Sequence, residues 1–417
     1  MTYDEALEYI HSNFWQGSKP GLSRTAKLLN KMGNPQESLS FIHVAGTNGK
    51  GSFCTMLSSV LIEAGYKVGT YTSPFIMRFN ERMRINNTDI PDDTLVSLTE
   101  YVLPFAESME EKPTEFELIT AIAFEYFKRE KCNIVVLECG MGGRLDSTNV
   151  ISSPVLSVIT GIALDHTAFL GDTIEKIAFE KAGIIKENIP CLYCGNQKDV
   201  LKVINDVANS KNAMLYRVSD AKPNIKNFDL SGTVFDFEDF KDIRINLLGT
   251  YQIKNAQNVI TAIKILRDLN FKIEDRAVFS GLTKAKWKAR YEIISKNPLM
   301  LFDGGHNPQG IISAAESTKL YFKDKKLTVI CGVMADKDYP FIAKTLSKIA
   351  DKVFCVTPDN ARALKACDFA KEFEKCGIKA FACDSILDAV SKAKQTENPI
   401  IALGSLYMYK EIFDCIN

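Results

Sequence analysis

A glycine-rich turn that contains a lysine and hydroxyl side chains is the first place in this chain where phosphate chemistry could occur. The turn, residues 46–52 (GTNGKGS), follows an apolar, β-rich run at 41–45 and precedes apolar residues at helical spacing. In a strand–turn–helix arrangement, backbone N–H groups and the helix N-terminus bind anionic oxygens. Lys50 would place a positive charge on the outer phosphates, and Ser52 would offer a hydroxyl to Mg²⁺. The sequence therefore predicts a phosphate-binding loop.

This loop departs from the Walker pattern GxxxxGK[ST] at two positions. The pattern requires glycine where the chain has Val44, and serine or threonine where it has Gly51. The hydroxyl of Ser52 therefore comes one residue late. Because a strand precedes the turn and a long amphipathic helix follows it, we expect a variant phosphate loop rather than a plain connection.

Polar residues also follow three other predicted strands. Ser73 lies at the end of a predicted strand that begins at Tyr66 and ends in Ser-Pro, Glu138 ends the apolar run 134–138, and His166 follows the strand 154–160. In open α/β sheets, ligands bind at the carboxyl ends of the strands. Ser73 is thus a candidate second hydroxyl for the metal, and Glu138 has the place of a Walker B carboxylate that holds Mg²⁺. His166 is a candidate ligand or catalytic residue.

Further polar residues have weaker signals. Asp303 and His306 follow the first strand of the C-terminal region, which repeats the pattern of polar residues at a strand end. Thr114 and Glu117 have the spacing of a capping box at the start of a predicted helix. Lys181 lies in a predicted helix, and its neighbours favour a lysine whose stem covers apolar surface while its amine reaches solvent.

The chain predicts an α/β fold in two domains. After residue 298, predicted strands and helices alternate, which indicates a parallel sheet with helices on both faces. A charged, proline-containing stretch at 295–298 favours a boundary there, so that the domains are 1–294, which contains the phosphate loop, and 295–417, which is smaller. The charged segment 78–91 lacks periodicity and is predicted as a long functional loop.

Composition limits the classes of partner and compartment. The 417 residues carry 51 basic and 51 acidic side chains, which gives no electrostatic argument for nucleic acid or a membrane surface. The N-terminal MTYDEALEYI is acidic and amphipathic, unlike a signal peptide, and no apolar run has membrane-spanning length. Eleven cysteines, mostly in apolar runs, indicate buried, reduced thiols. We therefore expect a cytoplasmic protein.

Seven motifs occur along the chain in a fixed order: GTNGKGS, YTSPF, ECGMGGRLDSTN, LDHTAFLGDTIEKIAFEKAGIIK, the NA of GTYQIKNAQN, WKAR and FDGGHNPQG. Together they closely resemble the folylpolyglutamate synthase/dihydrofolate synthase family, a branch of the Mur-type ATP-dependent amide ligases. The resemblance implies a phosphate-loop ATPase domain followed by a smaller Rossmann-like domain. One departure is WKAR, where the family usually has tryptophan-proline-glycine-arginine, so that Ala289 adds a Cβ to that turn. Another is Gly305, where alanine is usual.

The resemblance also implies roles for individual residues. ATP contacts are implied at Gly46, Thr47, Asn48, Gly49, Lys50, Gly51, Ser52, Asn255, Arg290 and Asp303. Two Mg²⁺ sites are implied at Ser52, Ser73, Glu138, His166 and Lys181, of which the lysine is carbamylated in this family. Folate or pteroate contacts are implied at Arg24, Phe75, Thr114, Phe116, Glu117, Leu145, Asp146 and Ser147, and His306 is a candidate for glutamate. Lys50, His166 and Lys181 would be the catalytic residues.

The implied reaction is amide ligation between a folate or dihydropteroate carboxylate and L-glutamate, through an acyl phosphate. Whether one or both substrates are used stays open. A muropeptide ligase is an alternative, but the TSPF and LDHTAFLG segments and the compact N-terminal region disfavour it. A nucleotide-gated switch is a second alternative, which predicts slow ATP hydrolysis that does not depend on glutamate. The expected partners are small molecules, and the family expectation is a monomer.

Overall fold

The computed structural model describes residues 1–12, 19–323 and 325–416. Its internal contacts divide the chain into two compact units. The first comprises Met1–Ala221 and Asn255–Lys284, and the second comprises Lys222–Lys254 and Ala285–Asn417. Among the described residues, no helix combines the length and the apolar character needed to cross a bilayer.

The first unit is built on a sheet of eight strands, counted over the ranges that the structure describes. Its strands are β1 Phe41–Ala45, β2 Val68–Tyr71, β3 Met83–Ile85, β4 Thr88–Asp89, β5 Ile134–Glu138, β6 Leu156–Ile159, β7 Cys191–Tyr193 and β8 Leu215–Arg217. Their spatial order is β4-β3-β2-β5-β1-β6-β7-β8. Pairing is antiparallel between β2, β3 and β4 and parallel in the rest of the sheet. The carboxyl ends of β1, β2, β5 and β6 therefore meet at one edge.

Helices cover this sheet, and their apolar faces form its core. They are α1 Tyr3–Ile10, α2 Ser23–Lys31, α3 Lys50–Glu63, α4 Asp92–Glu107, α5 Glu115–Arg129, α6 Thr167–Leu170, α7 Ile174–Ala182, α8 Lys198–Ser210, α9 Thr250–Asp268 and α10 Asp275–Lys284. Helix α9 begins in residues of the second unit and continues in the first. Helix α3 is buried from Ser52 to Leu61, so it lies inside the unit rather than on its surface.

The second unit contains a small antiparallel sheet and a larger, mostly parallel one. The small sheet has the order β11-β10-β9, with β9 Asn224–Asp229, β10 Gly232–Phe237 and β11 Phe240–Ile245. The larger sheet has the order β12-β13-β17-β14-β15-β16, with β12 Glu292–Lys296, β13 Leu299–Asp303, β14 Leu327–Cys331, β15 Ala350–Cys355, β16 Lys379–Ala382 and β17 Ile400–Leu403. Its helices are α11 Pro308–Phe322, α12 Tyr339–Leu346, α13 Ala366–Lys375, α14 Ile386–Lys394 and α15 Tyr409–Asp414.

The predicted α/β class is confirmed, and two stretches form hairpins where the sequence predicts a linker and a long loop. The stretch 295–298 is not a linker, because Pro298 lies in the turn of the antiparallel hairpin β12–β13. The predicted boundary between residues 294 and 295 therefore falls inside β12, and the units change between residues 284 and 285. The segment 78–91 contains the hairpin β3–β4, in which Asn86 and Asn87 take positive φ angles of 50° and 62°. Asparagine tolerates this conformation, so a turn could form without glycine.

The helix that follows the phosphate loop is packed against a neighbour at backbone distance. Gly281 of α10 faces Val60 of α3, and a Cβ added to Gly281 would lie 2.4 Å from Cα and 2.6 Å from the backbone N of Val60. A glycine at this position therefore lets the two helices approach closely. The position of α3, and with it the position of the loop at its N-terminus, depends on this contact.

We predict that Gly281→Ala destabilises the protein. Alanine in a helix normally stabilises by about 1 kcal/mol relative to glycine, but forcing a methyl group into a packed contact costs about 1–3 kcal/mol. Since the added Cβ meets backbone atoms, which cannot rotate away, we expect the clash to dominate. The midpoint of urea unfolding, followed by circular dichroism, should fall. The control is Arg276→Ala, at an exposed position of the same helix, which should leave the unfolding midpoint nearly unchanged. A midpoint for Gly281→Ala at or above that of the wild type would contradict the close packing of α3 and α10.

Candidate functional site

The phosphate loop connects β1 to α3 and is fixed by the residues that follow β6. The backbone N–H groups of Thr47 and Asn48 donate to the carbonyl of Gly161 at 2.8 and 3.3 Å. The hydroxyl of Thr160 donates to the carbonyl of Asn48 at 2.9 Å. Gly46 has a φ of 152°, and a Cβ there would lie 1.8 Å from the hydroxyl oxygen of Thr160. The loop therefore requires glycine at this position and is held in one conformation by its neighbour.

Two lysines converge on a single carbonyl of this loop. The Nζ atoms of Lys50 and Lys181 donate to the carbonyl of Gly46 at 3.1 and 2.9 Å. Lys50 belongs to the first turn of α3, whereas Lys181 reaches the loop from α7. The side chain of Lys181 is buried, which is contrary to the solvent-directed lysine that its neighbours in sequence favoured. Its amine therefore lies inside the site.

Burial decides the protonation of Lys181. Desolvation is the main cause that lowers the pKa of its amine to about 7, and the positive charge of Lys50 lowers it further. Cys139, Asp165 and Asp146 act in the opposite direction and raise this pKa. Near neutral pH, the site therefore holds a substantial fraction of neutral amine beside the charged Lys50.

Oxygen donors suited to a hard cation lie at the ends of the neighbouring strands. Glu138 is buried at the end of β5, and the backbone N–H of Ser73 donates to its Oε2 at 3.3 Å. The Nζ of Lys50 lies 3.9 Å from Oε1 of Glu138, which is longer than a hydrogen bond. Ser52 is buried in the first turn of α3. Because carboxylate and hydroxyl oxygens are ligands that Mg²⁺ prefers, these residues fit the magnesium site expected from the sequence.

His166 differs from these residues in its exposure. It takes a positive φ of 49° just before α6, half of its side chain is accessible, and its Nε2 lies 3.9 Å from Oδ2 of Asp165. Within the described ranges, no group of three or more His, Cys, Asp or Glu side chains is arranged to hold a metal ion.

Asn255 reaches the phosphate loop from α9, as expected. It is buried, and its Oδ1 lies 2.9 Å from the position that a Cβ of Gly49 would occupy. Gly49 has a φ of 88° and immediately precedes α3. An amide side chain and the N-terminus of a helix therefore meet at the point where phosphate oxygens are expected to bind.

The remaining nucleotide-side candidates lie in the second unit. Asp303 ends β13, is buried, and accepts a hydrogen bond from the backbone N–H of Tyr291 at 2.9 Å. Arg290 immediately precedes Tyr291 in the chain, and its Nη1 donates to the carbonyl of Ala289 at 3.0 Å. His306 is half-buried just ahead of α11. Burial raises the pKa of the Asp303 carboxyl, while the charge of Arg290 opposes this change.

Three candidates for the folate side form a network within the protein. Arg24 donates from Nε and Nη2 to the two carboxylate oxygens of Glu117 at 3.0 and 2.9 Å. Glu117 also accepts from the backbone N–H of Thr114 at 2.7 Å, which completes the predicted capping box at the start of α5. These side chains therefore fix the start of α5 and join it to α2.

The loop after β5 carries a second group of folate-side candidates. Asp146 is buried and accepts from the backbone N–H groups of Met141 and Thr148 at 2.8 and 3.0 Å, and burial raises the pKa of its carboxyl. The next residue, Ser147, is also buried. Leu145 is half-buried, and its carbonyl accepts a hydrogen bond from the backbone N–H of Gly21 at 3.3 Å. The structure thus shapes residues 145–147 through bonds within their own loop.

Aromatic candidates lie near this loop and at the end of β2. The ring of Phe116 packs against Gly140, where an added Cβ would lie 2.6 Å from its Cζ. Phe116 also contacts Tyr71 at a ring distance of 5.9 Å. Phe75 is half-buried and lies 6.0 Å from the ring of Phe79. The segments that follow β2 and β5 in the first unit therefore contain the buried carboxyl of Asp146, and the rings of Phe75 and Phe116 lie near them.

Reasoning from the sequence missed the two residues that anchor the phosphate loop. Thr160 and Gly161 contact Gly46, Thr47 and Asn48 through the bonds described above. They end the predicted strand 154–160, so the rule that ligands bind at strand ends could have found them.

Comparison with protein families matches most of the chain. The Mur ligase middle domain matches residues 44–263, and the glutamate ligase domain of Mur ligases matches residues 289–404. The first match contains the phosphate loop, Glu138, Lys181 and Asn255, and the second contains Arg290 and Asp303.

Individual relatives match the chain along its full length. A dihydrofolate synthase/folylpolyglutamate synthase of Bacillus subtilis is 38% identical and covers 98% of each chain. A folylpolyglutamate synthase of Lacticaseibacillus casei is also 38% identical, over 98% of this chain and 97% of its own. Among solved structures, a complex of folylpolyglutamate synthase with AMPPCP and folate matches with a TM-score of 0.87, 35% identity and 100% coverage of both chains.

Proposed function

Because the chain belongs to the folylpolyglutamate synthase/dihydrofolate synthase branch of the Mur ligase family, we propose that it uses ATP to join L-glutamate to a folate or dihydropteroate carboxylate. The observation that carries this proposal is the convergence of Lys50, Lys181 and Glu138 on the phosphate loop. That arrangement lies in a chain that matches such enzymes over 98% of its length. The muropeptide alternative has no comparable support.

The chemistry requires activation of a carboxylate, which is a poor acyl donor. A carboxylate oxygen attacks the γ-phosphorus of ATP, the bond to the β–γ bridging oxygen breaks, and ADP leaves. The amine of glutamate then attacks the acyl carbon, phosphate leaves, and an amide forms with loss of one proton. Lys50 would neutralise charge on the phosphoryl group during its transfer, which is the main way in which such sites accelerate the reaction.

Magnesium fits the donors of the first unit. Ser52, Ser73 and Glu138 would hold one ion, and His166 with a carbamylated Lys181 would hold a second. Bound Mg²⁺ supplies charge neutralisation at the phosphates. The protein's own part is to bring hydroxyl and carboxylate oxygens to the carboxyl ends of β2 and β5 and to the start of α3.

The remaining candidates divide between the nucleotide and the two carboxylic substrates. Asn255, Arg290 and Asp303 would serve the nucleotide, and His306 would serve glutamate. On the folate or pteroate side, the substrate contacts would come from Arg24, Phe75, Thr114, Phe116, Glu117, Leu145, Asp146 and Ser147. Of these, Arg24, Thr114 and Glu117 are joined by hydrogen bonds at the start of α5. The enzyme would act as a monomer in the cytoplasm, where the eight buried cysteines stay reduced.

Carbamylation of Lys181 is supported by its burial and its lowered pKa. A neutral amine adds to CO₂ and releases a proton, which leaves an anionic carbamate whose oxygens suit a hard cation. With a pKa near 7, Lys181 is mostly neutral above that pH and mostly protonated below it. An ordinary lysine, whose pKa is about 10.4, stays protonated over the same range.

We predict that the protein forms a carbamate at about pH 8 and loses it at about pH 6, because protonation removes the reactive amine of Lys181. Carbon-13 NMR after addition of labelled bicarbonate measures it directly. The signal should be absent from Lys181→Met and retained in Lys176→Met, an exposed lysine of the same helix. A wild-type protein without the signal, or a Lys181→Met protein with it, would reject the carbamate.

We predict that phosphate is released from Mg-ATP only when L-glutamate and a folate or pteroate substrate are both present. Parallel assays with tetrahydrofolate and with dihydropteroate, with product masses recorded, separate the two activities. Activity with both would make the enzyme bifunctional, and activity with tetrahydrofolate alone would make it a folylpolyglutamate synthase.

Lys50→Met should reduce this activity by about 10²-fold or more, because the charge on the transferred phosphoryl group loses its partner. Lys27→Met, at an exposed position of α2, should not. Phosphate release that does not depend on glutamate would favour the nucleotide-gated switch, and no release with either substrate would reject the ligase.

A further inference from the structure

The turn that carries Arg290 has an unusual backbone. Ala289 and Tyr291, on either side of the arginine, both take positive φ angles, of 57° and 48°. For residues with a Cβ, the left-handed conformation costs about 1–2 kcal/mol each. Two such residues in three positions persist only where the surroundings determine the conformation.

Two carboxylates hold this turn, one on each side of the arginine. Oε2 of Glu292 accepts a hydrogen bond from the backbone N–H of Ala289 at 2.7 Å. Oδ2 of Asp303 accepts one from the backbone N–H of Tyr291 at 2.9 Å. The backbone N–H groups of the two residues that flank Arg290 therefore both donate to side-chain carboxyl oxygens of the same unit.

Each of these carboxylate oxygens also accepts a bond from a tyrosine. The hydroxyl of Tyr409 donates to Oε2 of Glu292 at 2.9 Å, and the hydroxyl of Tyr251 donates to Oδ2 of Asp303 at 2.7 Å. Tyr409 is buried. Desolvation raises the pKa of Tyr251 well above its ordinary value, so the hydroxyl of Tyr251 stays a protonated donor. Hydrogen bonds to an ionised acceptor are stronger than those between neutral groups. The two tyrosines therefore hold the carboxyl groups of Asp303 and Glu292 in place, and these carboxyl groups hold the turn.

The side chain of Arg290 is constrained together with its backbone. Its Nη1 bonds the carbonyl of Ala289, and a Cβ added to Gly304 would lie 2.4 Å from that nitrogen. The backbone N–H of Gly304 in turn donates to the carbonyl of Ala289 at 2.9 Å. The guanidinium therefore lies over a glycine, and its direction depends on the conformation of the turn.

We propose that Tyr251, Tyr409, Glu292 and Asp303 are positioning residues that keep Arg290 ready to bind the nucleotide. We call these four side chains the arginine clamp. The proposal rests on the proposed function, in which Arg290 contacts ATP. Both oxygens of Asp303 accept bonds from the protein, since Oδ1 takes the N–H of Gly305 at 2.8 Å. Asp303 thus acts on the nucleotide through Arg290.

The test removes one tyrosine hydroxyl at a time and measures binding of Mg-ADP by isothermal titration calorimetry. Loss of one hydrogen bond in each arm of the clamp should weaken binding about five-fold in Tyr251→Phe and in Tyr409→Phe. Thr328→Val is the matched control, because it removes a buried hydroxyl of the same unit that bonds Thr396 and lies outside the clamp. Its dissociation constant should equal that of the wild type.

A double-mutant cycle separates positioning from general loosening of the unit. In an Arg290→Ala background, either tyrosine substitution should weaken binding no further, because the group that it positions is absent. Tyrosine variants that bind Mg-ADP as tightly as the wild type, or effects that add fully to that of Arg290→Ala, would overturn the proposal. If a tyrosine variant does not fold by circular dichroism, Glu292→Gln tests the same arm with the shape retained.

These outcomes are distinguishable from failure of the proposed function. A wild-type protein that binds Mg-ADP and shows the expected cycle, but forms no glutamate adduct, would reject the ligase and leave the clamp in place. A wild-type protein that ligates glutamate, with a cycle that is fully additive, would reject the clamp alone.

Discussion

The carbonyl oxygen of Gly46 is the point on which the first unit's chemistry depends. It accepts hydrogen bonds from the amines of Lys50 and Lys181, which come from two different helices. Two charged amines at one acceptor repel each other, and the buried one loses its proton more easily. Burial is the main cause that lowers the pKa of Lys181 to about 7, and the neighbouring Lys50 lowers it further, so that Lys181 supplies a neutral amine while Lys50 is placed for the phosphates. Burial thus gives two identical side chains different tasks.

The sheet makes this convergence possible. Because β1 lies between β5 and β6, the loop after β1 is flanked by Glu138 on one side and by Thr160 on the other. The close approach of Thr160 to Gly46 leaves no room for a side chain, and α10 holds α3 by a backbone contact at Gly281. Two glycines therefore position the loop. Gly46 leaves space for the side chain of Thr160, and Gly281 leaves space for the backbone of α3 at Val60.

Local patterns predicted much of this structure and failed where distant residues decide. The observed strand β1 has the same first and last residues as the predicted run 41–45, because a short apolar run before a glycine-rich turn is typical of a buried strand. The burial of Lys181 was not predicted from its neighbours, since the period of a helix does not reveal what packs on it. The turn of the hairpin β12–β13 has the charged, proline-containing composition of a linker, and composition alone does not reveal that the flanking segments pair as strands. The arginine clamp joins residues 251, 292, 303 and 409, and no local signal connects them.

Activation of the carboxylate by phosphorylation can be detected through the transfer of oxygen-18 from the substrate to the released phosphate. The substrate is tetrahydrofolate labelled in the carboxylate that accepts glutamate, incubated with Mg-ATP and L-glutamate. Phosphorus-31 NMR of the released phosphate reports its isotopic content. We predict that each phosphate carries one labelled oxygen from the carboxylate, because the acyl phosphate loses that oxygen when the amide forms. Unlabelled phosphate released together with the glutamate adduct would contradict an acyl phosphate and require another route to the amide.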